Sequence, residues 1–157
     1  MHHLNMPVLH KRKFFLAVLA ALATSVATPS FAADKVKVGV FPSSSALPYF
    51  VALERGYFKE VDIETEAATF NAHPLTVQAI VTGDIEFAAG GALSNKFMTE
   101  RPQLAARFYS AWAKAVNDVA RYAKVRELLP KYMNTSADIA PTVPLAKLVL
   151  VKDLTAL

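Results

Sequence analysis

The chain changes its hydrophobic period once, and that change limits what it can fold into. Residues 35–94 alternate strand-like and helix-like stretches, whereas residues 95–133 carry helical periodicity throughout. Lys35-Val36-Lys37-Val38-Gly39-Val40-Phe41 begins as a polar/apolar alternation and turns wholly apolar, which suits a strand entering a buried sheet. Pro42-Ser43-Ser44-Ser45 breaks it. Leu47 to Leu53 is apolar at helical spacing, with Tyr49, Phe50 and Leu53 to one side, and Gly56 fits its C-cap. Val61 to Ala67 alternates strictly, predicting a second strand with one exposed face. Asn71-Ala72-His73-Pro74 opens another helix with Pro74 in its first turn; Val77, Ile80 and Val81 are its expected buried face. Thr82-Gly83-Asp84 turns the chain into a short third strand, Ile85 to Ala89, followed by Gly90-Gly91-Ala92. Strands alternating with helices predict an α/β fold with right-handed crossovers and a mostly parallel sheet.

Beyond Ser94 the pattern is different. Pro102 opens a long helix whose stripe of Leu104, Phe108, Trp112, Ala115 and Val119 is expected to pack into the core. A second helix is predicted from about Lys124 to Tyr132, and the apolar stretch Lys147 to Leu157 reads as a short strand or helix. The chain has no internal repeats and no low-complexity segments.

The N-terminus reads as a targeting segment. Lys11-Arg12-Lys13 forms a basic region, Phe14 to Ala23 is an apolar run too short to span a bilayer as a helix, and Ser30-Phe31-Ala32 places small residues before a cleavage point at Ala33. The expected divisions are therefore 1–32 as signal peptide, 33–94 as a βαβαβ unit, and 95–157 as a helical segment packing on that same unit. Export to the periplasm follows as an expectation. Of 17 Lys and Arg, three leave with the signal, so 14 basic residues stand against 13 acidic ones. The high pI thus belongs mostly to the signal, and no nucleic-acid footprint is expected. What remains is uneven: residues 33–94 are acidic and residues 95–157 basic, which reads as a solvated basic helical face.

The chain has no cysteine, so disulfides, zinc ribbons and thiol nucleophiles are excluded. Only His73 lies beyond the targeting segment, which removes His-rich metal sites; no metal and no cofactor is expected. No G-x-S-x-G elbow, phosphate-binding P-loop or H-E-x-x-H pair occurs, and Gly90-Gly91 is not a dinucleotide fingerprint. Glu64 and Glu66 share a strand face directed to solvent. An enzyme using His73 is an alternative that nothing in the sequence positions; His73 reads equally as a pocket-lining or helix-capping residue.

Parallel α/β sheets bind ligands at the carboxyl ends of their strands. The loops there carry Ser43, Ser44 and Ser45, then Asn71 and His73, then Gly90, Gly91 and Ala92. Their hydroxyls and backbone N–H groups, each set expected just before a helix N-terminus, describe a cradle for an anion or a polar small molecule. Each loop taken singly reads better as ordinary cap and turn chemistry, and only the three on one edge bring the cradle level with that reading.

These residues also match a family pattern. Leu47-Pro48-Tyr49-Phe50-Val51-Ala52-Leu53-Glu54-Arg55-Gly56-Tyr57-Phe58-Lys59-Glu60, together with Gln78-Ala79-Ile80-Val81-Thr82-Gly83-Asp84-Ile85-Glu86-Phe87-Ala88, resembles the first lobe of periplasmic solute-binding proteins of ABC importers, of the nitrate, sulfonate and taurine type. Residues 96–133 resemble the C-terminal helices that return to that lobe. The resemblance implies the type II periplasmic-binding fold, a clamshell of two lobes, with the second lobe missing between Ser94 and Asn95. It implies a small anionic solute and a membrane permease as partners, with the chain a monomer or a dimer. The alternative is an internally deleted remnant without a transport role. An enzyme branch of the same superfamily relies on a Cys-rich motif that this chain lacks.

Overall fold

A computed structural model describes residues 32–148. The expected signal peptide, apart from Ala32, and most of the apolar tail lie outside the described residues. Four strands form one sheet: β1 (Asp34–Val40), β2 (Ile63–Thr69), β3 (Phe87–Ala88) and β4 (Ala92–Leu93). Their order is β2-β1-β3-β4, with β1 parallel to both β2 and β3, and β4 antiparallel to β3. The helices are α1 (Leu47–Glu54), α2 (His73–Thr82), α3 (Asn95–Glu100), α4 (Pro102–Arg121) and α5 (Leu129–Tyr132), with 3-10 turns at Ser44–Ala46, Lys59–Val61, Ala123–Leu128 and Ala140–Thr142. The α/β architecture and the mostly parallel sheet are as expected. None of the described helices is long and apolar enough to cross a membrane.

Alternation along β1 divides the molecule into two layers. Val36, Val38 and Val40 are buried on one face, within a core that also holds Leu47, Val51 and Ala52 of α1 and Leu104, Phe108, Trp112 and Ala115 of α4. A run of aromatic rings ties helix to sheet. Phe58 stacks on Phe108 at 4.7 Å between centroids, Phe108 meets Phe87 at 4.8 Å, and Phe87 stands edge-on to Trp112 at 5.5 Å. The predicted stripe of α4 is therefore the docking surface, with Val119 half-buried at its end.

Lys35, Lys37 and Gly39 face the other way. Only the Gly39 end is covered, by α2. A Cβ on Gly39 would overlap Ile85 Cδ1 and lie 3.1 Å from Phe70 Cε2 and 3.3 Å from Thr76 Cγ2. This close approach corrects the expectation for α2. Thr76 and Ala79, not Val77 and Val81, are its buried residues; Ile80 is half-buried, while Val77 is 47% and Val81 80% exposed. Small side chains fit where helix and sheet are pressed together over a glycine, and the bulkier valines are turned outward.

Three further expectations are corrected. The third strand is only two residues long, because Ile85 turns its N–H back to Ala79 O at the end of α2. Gly90-Gly91-Ala92 does not lead straight into a helix: it turns the chain into β4, and Ser94 after that strand caps α3 by accepting the Phe97 N–H at 3.1 Å. The second strand runs two residues later than predicted and is exposed on both faces beyond Thr65, as expected of an edge.

The uneven charge also has a structural cause. Among the described residues, five ion pairs join a cation of residues 95–157 to an acid of residues 33–94: Arg101 to Asp34 and Glu86, Arg107 to Asp34, Lys114 to Glu60, and Lys131 to Glu54. The basic face is the complement of the acidic unit it docks against, rather than simply a solvated surface. One pair runs the other way: Arg55, with the Tyr57 hydroxyl, converges on Asp118 of α4.

Candidate functional site

In this sheet β1 lies between β2 and β3. The chain leaves β1 toward α1 on one face and reaches β3 from α2 on the other, so the β1/β3 junction is the switch point where open α/β sheets form crevices. A cleft of about 230 Å³ lies there. Gly39 of β1 and Ala88 and Ala89 at the end of β3 form its floor. Ser43 and Ser45 line one side, Gly90 and Ala92 another, and His73, Thr76, Val77 and Ile80 of α2 the third, with Phe41 beside them.

Five of the eight expected residues thus come together: Ser43, Ser45, His73, Gly90 and Ala92. Ser44, Asn71 and Gly91 do not line the cleft. Ser44 starts the 3-10 turn, out of phase with its two neighbours. Asn71 is exposed, ahead of the extended N-cap residue Ala72. Gly91 has φ +112° and backs onto the core, where a Cβ would lie 2.9 Å from Trp112 Cη2. It is the turn residue that lets β4 fold back, with its N–H donating to Ala88 O at 2.8 Å.

Local geometry fixes the polar side of the cleft. The Ser43 and Ser45 hydroxyls hydrogen-bond each other at 2.8 Å, while Ser43 O accepts the Ala46 N–H at 2.9 Å and so holds the turn into α1. Ser45 Oγ lies 3.5 Å from where a Cβ on Gly90 would stand, so the serine loop and the hairpin turn are close across the cleft. His73, at the start of α2, meets Phe41 edge-on with centroids 5.7 Å apart.

Sequence reasoning missed Thr76. It is 4% exposed, lines the cleft, and its Oγ1 has no hydrogen-bond partner. A buried hydroxyl without a partner is costly. Helical spacing held the signal, since residues 73, 76, 77 and 80 share one face of α2; valine hydrophobicity drew attention to the neighbouring stripe instead.

Charge is distributed away from this cleft. Among the described residues no Lys, Arg, Asp or Glu lines it. A larger groove of about 610 Å³ lies near the amino ends of the strands, over the uncovered half of the same sheet face, and holds Lys35, Lys37, Glu66, Glu86, Lys96 and Arg101. Asp84 and Glu100 also line it, and four of these eight charged side chains are paired within the groove: Lys35 with Glu66 at 3.1 Å, and Arg101 with Glu86 at 2.7 Å. Glu86 also accepts the Lys37 backbone N–H at 2.8 Å. Among the described residues no group of three or more His, Asp or Glu is placed to hold a metal ion.

Comparison with known proteins adds one match. Residues 32–92 match the model of the NMT1-like family. The matched segment runs from just before β1 into β4, and every residue lining the cleft falls inside it. No curated protein and no solved structure matches the chain.

Proposed function

We propose that this chain is of solute-binding lineage: a periplasmic component that presents a small, anionic or polar solute to an ABC permease, with the β1/β3 cleft as its binding surface. One observation carries the reading. The cleft sits at the switch point of a parallel sheet, and all its lining lies within the segment that matches the NMT1-like family. A binding role also suits a lining of three hydroxyls, one imidazole and otherwise apolar or backbone surface, which among the described residues offers no paired acid and base. On this reading residues 1–32 direct export, and residues 95–148 return to complete the single lobe.

The clamshell resemblance has a quantitative consequence. A closed site buries about 70–90% of a small ligand. One wall alone forfeits roughly half of that, with two or three hydrogen bonds worth about 1 kcal/mol each, or about 1.5–3 where charged. Two to four decades of affinity follow at about 1.4 kcal/mol per decade. A site that would bind at about micromolar when closed becomes millimolar or weaker as a single lobe. The second reading, a remnant without a transport role, draws on the outward-turned Leu75, Val77 and Val81 beside an open cleft.

The test is an amide-shift titration of the purified chain with sulfonates, nitrate, bicarbonate and aromatic carboxylates, repeated on Gly90→Phe. A Cβ at Gly90 meets nothing closer than Ser45 Oγ at 3.5 Å, an ordinary contact, so a side chain can be introduced there to occupy the cleft mouth, with circular dichroism confirming that the variant is folded. Saturable shifts at Ser43, Ser45, His73 and Gly90 that vanish in Gly90→Phe are expected. Absence of such shifts for the whole panel favours the remnant.

A further inference from the structure

We infer that the cleft selects a singly charged or neutral organic molecule with an apolar body, such as an aromatic or branched-chain acid, and discriminates against inorganic oxyanions; this rests on the solute-binding reading above. The argument starts from what a bound ion must recover. An inorganic oxyanion leaves a strong hydration shell, and a protein replaces it with cations or a dense set of donors. This lining supplies neither. Among the described residues it has no Lys or Arg and a single imidazole, that of His73, and the Ser43 and Ser45 hydroxyls already spend one donor on each other. The cationic side chains near the sheet lie in the groove by the amino ends of the strands, where Lys35 and Arg101 are held in ion pairs. An organic cation is disfavoured on the same ground, since among the described residues no carboxylate lines the cleft.

Apolar surface is what the cleft has in quantity. Phe41, Val77 and Ile80 stand along one side, and Ala88, Ala89 and Ala92 line the floor and far wall. Val77 is 47% exposed and Phe41 and Ile80 are half-buried, so this surface is open to a ligand. The Ser43 and Ser45 hydroxyls and the Gly90 turn lie at one end of the lining, while Val77 and Ile80 of α2, with Phe41 beside them, supply a continuous aliphatic and aromatic surface. A ring or branched chain lying on Phe41, Val77 and Ile80 would place its head group at Ser43, Ser45 and Gly90. Thr76, buried with an unpartnered hydroxyl, and the His73 imidazole are the polar groups that α2 adds to that wall.

Benzoate, acetate, nitrate and sulfate discriminate the idea when titrated into the whole chain with amide shifts as readout. Benzoate is expected to bind at least tenfold more tightly than the other three. Tenfold corresponds to burying about 60 Å² of ring at about 25 cal/mol per Å². Val77→Lys, at an exposed position, installs the missing cation and should raise sulfate affinity at least fivefold, narrowing the preference. Nitrate or sulfate binding in the cleft as tightly as benzoate would overturn this inference while leaving the solute-binding reading intact. Sulfate indifferent to Val77→Lys would overturn it too. If none of the four shifts cleft amides, the solute-binding reading falls and this inference with it.

Discussion

Trp112 and Gly91 meet from opposite sides of the core, and a double-mutant cycle on them tests how the helical segment docks. Trp112 is 3% exposed and packs edge-on against Phe87 at 5.5 Å. Burying about 200 Å² of indole at about 25 cal/mol per Å² is worth about 5 kcal/mol. That area figure is an upper bound, so Trp112→Ala should cost about 3–5 kcal/mol. Gly91→Ala suffers twice over: its φ of +112° disfavours any side chain, and its new Cβ would sit 2.9 Å from Trp112 Cη2 and 3.1 Å from Cζ2. The backbone strain is worth about 1–3 kcal/mol and the overpacking about 1–3 more. Truncating Trp112 removes the clash and leaves the strain. In the Trp112→Ala background, Gly91→Ala should therefore lose at least about 1 kcal/mol of its cost. Urea titration followed by far-UV circular dichroism measures all four corners. At a slope of about 2 kcal/mol per molar, Trp112→Ala alone moves the midpoint by about 2 M. Because so small a domain can unfold outright with that change, Trp112→Phe, expected to cost less, supplies a second truncation for the cycle. Costs additive within about 0.5 kcal/mol would refute the contact, and a Trp112→Ala cost below about 1 kcal/mol would mean that α4 is not docked on the sheet.

Gly39→Ala should destabilise by about 1–3 kcal/mol through overlap with Ile85 and crowding against Phe70 and Thr76, measured in the same titration; a neutral result would show that α2 is not pressed onto the sheet. The Lys131 ammonium, and after it the Tyr132 hydroxyl, hydrogen-bond Glu54 and hold its carboxyl below the ordinary carboxylate range. A folded-state value lower than the unfolded one contributes stability above the unfolded value and loses it as pH falls through the folded one. Glu54→Gln should therefore weaken the protein near neutrality and flatten its loss of stability below about pH 4.5, the unfolded glutamate range. An unchanged acid limb in pH-dependent melting would show that the pair contributes nothing.

Much of the molecule was determined by the sequence alone. Period 2 in Lys35 to Val40, period 3.6 in Leu104 to Ala115, and the breaks at Pro42 and Gly83 follow from backbone geometry and from which side chains leave water, and both are local properties. The serine loop and His73 were legible because strand ends and helix starts have their own residue chemistry. Tertiary structure decided what depends on two segments meeting. Whether Val77 or Thr76 faces the sheet turned on Gly39, more than thirty residues away, whose missing side chain admits small neighbours and expels large ones. Whether Gly91 belonged to the cleft or to the core turned on Trp112. The basic surplus after residue 94 looked solvated until Asp34, Glu54, Glu60 and Glu86 came opposite it. Hydrophobicity and turn propensity act along the chain and can be read there, whereas steric fit and charge pairing act between segments and exist only once the fold has brought them together.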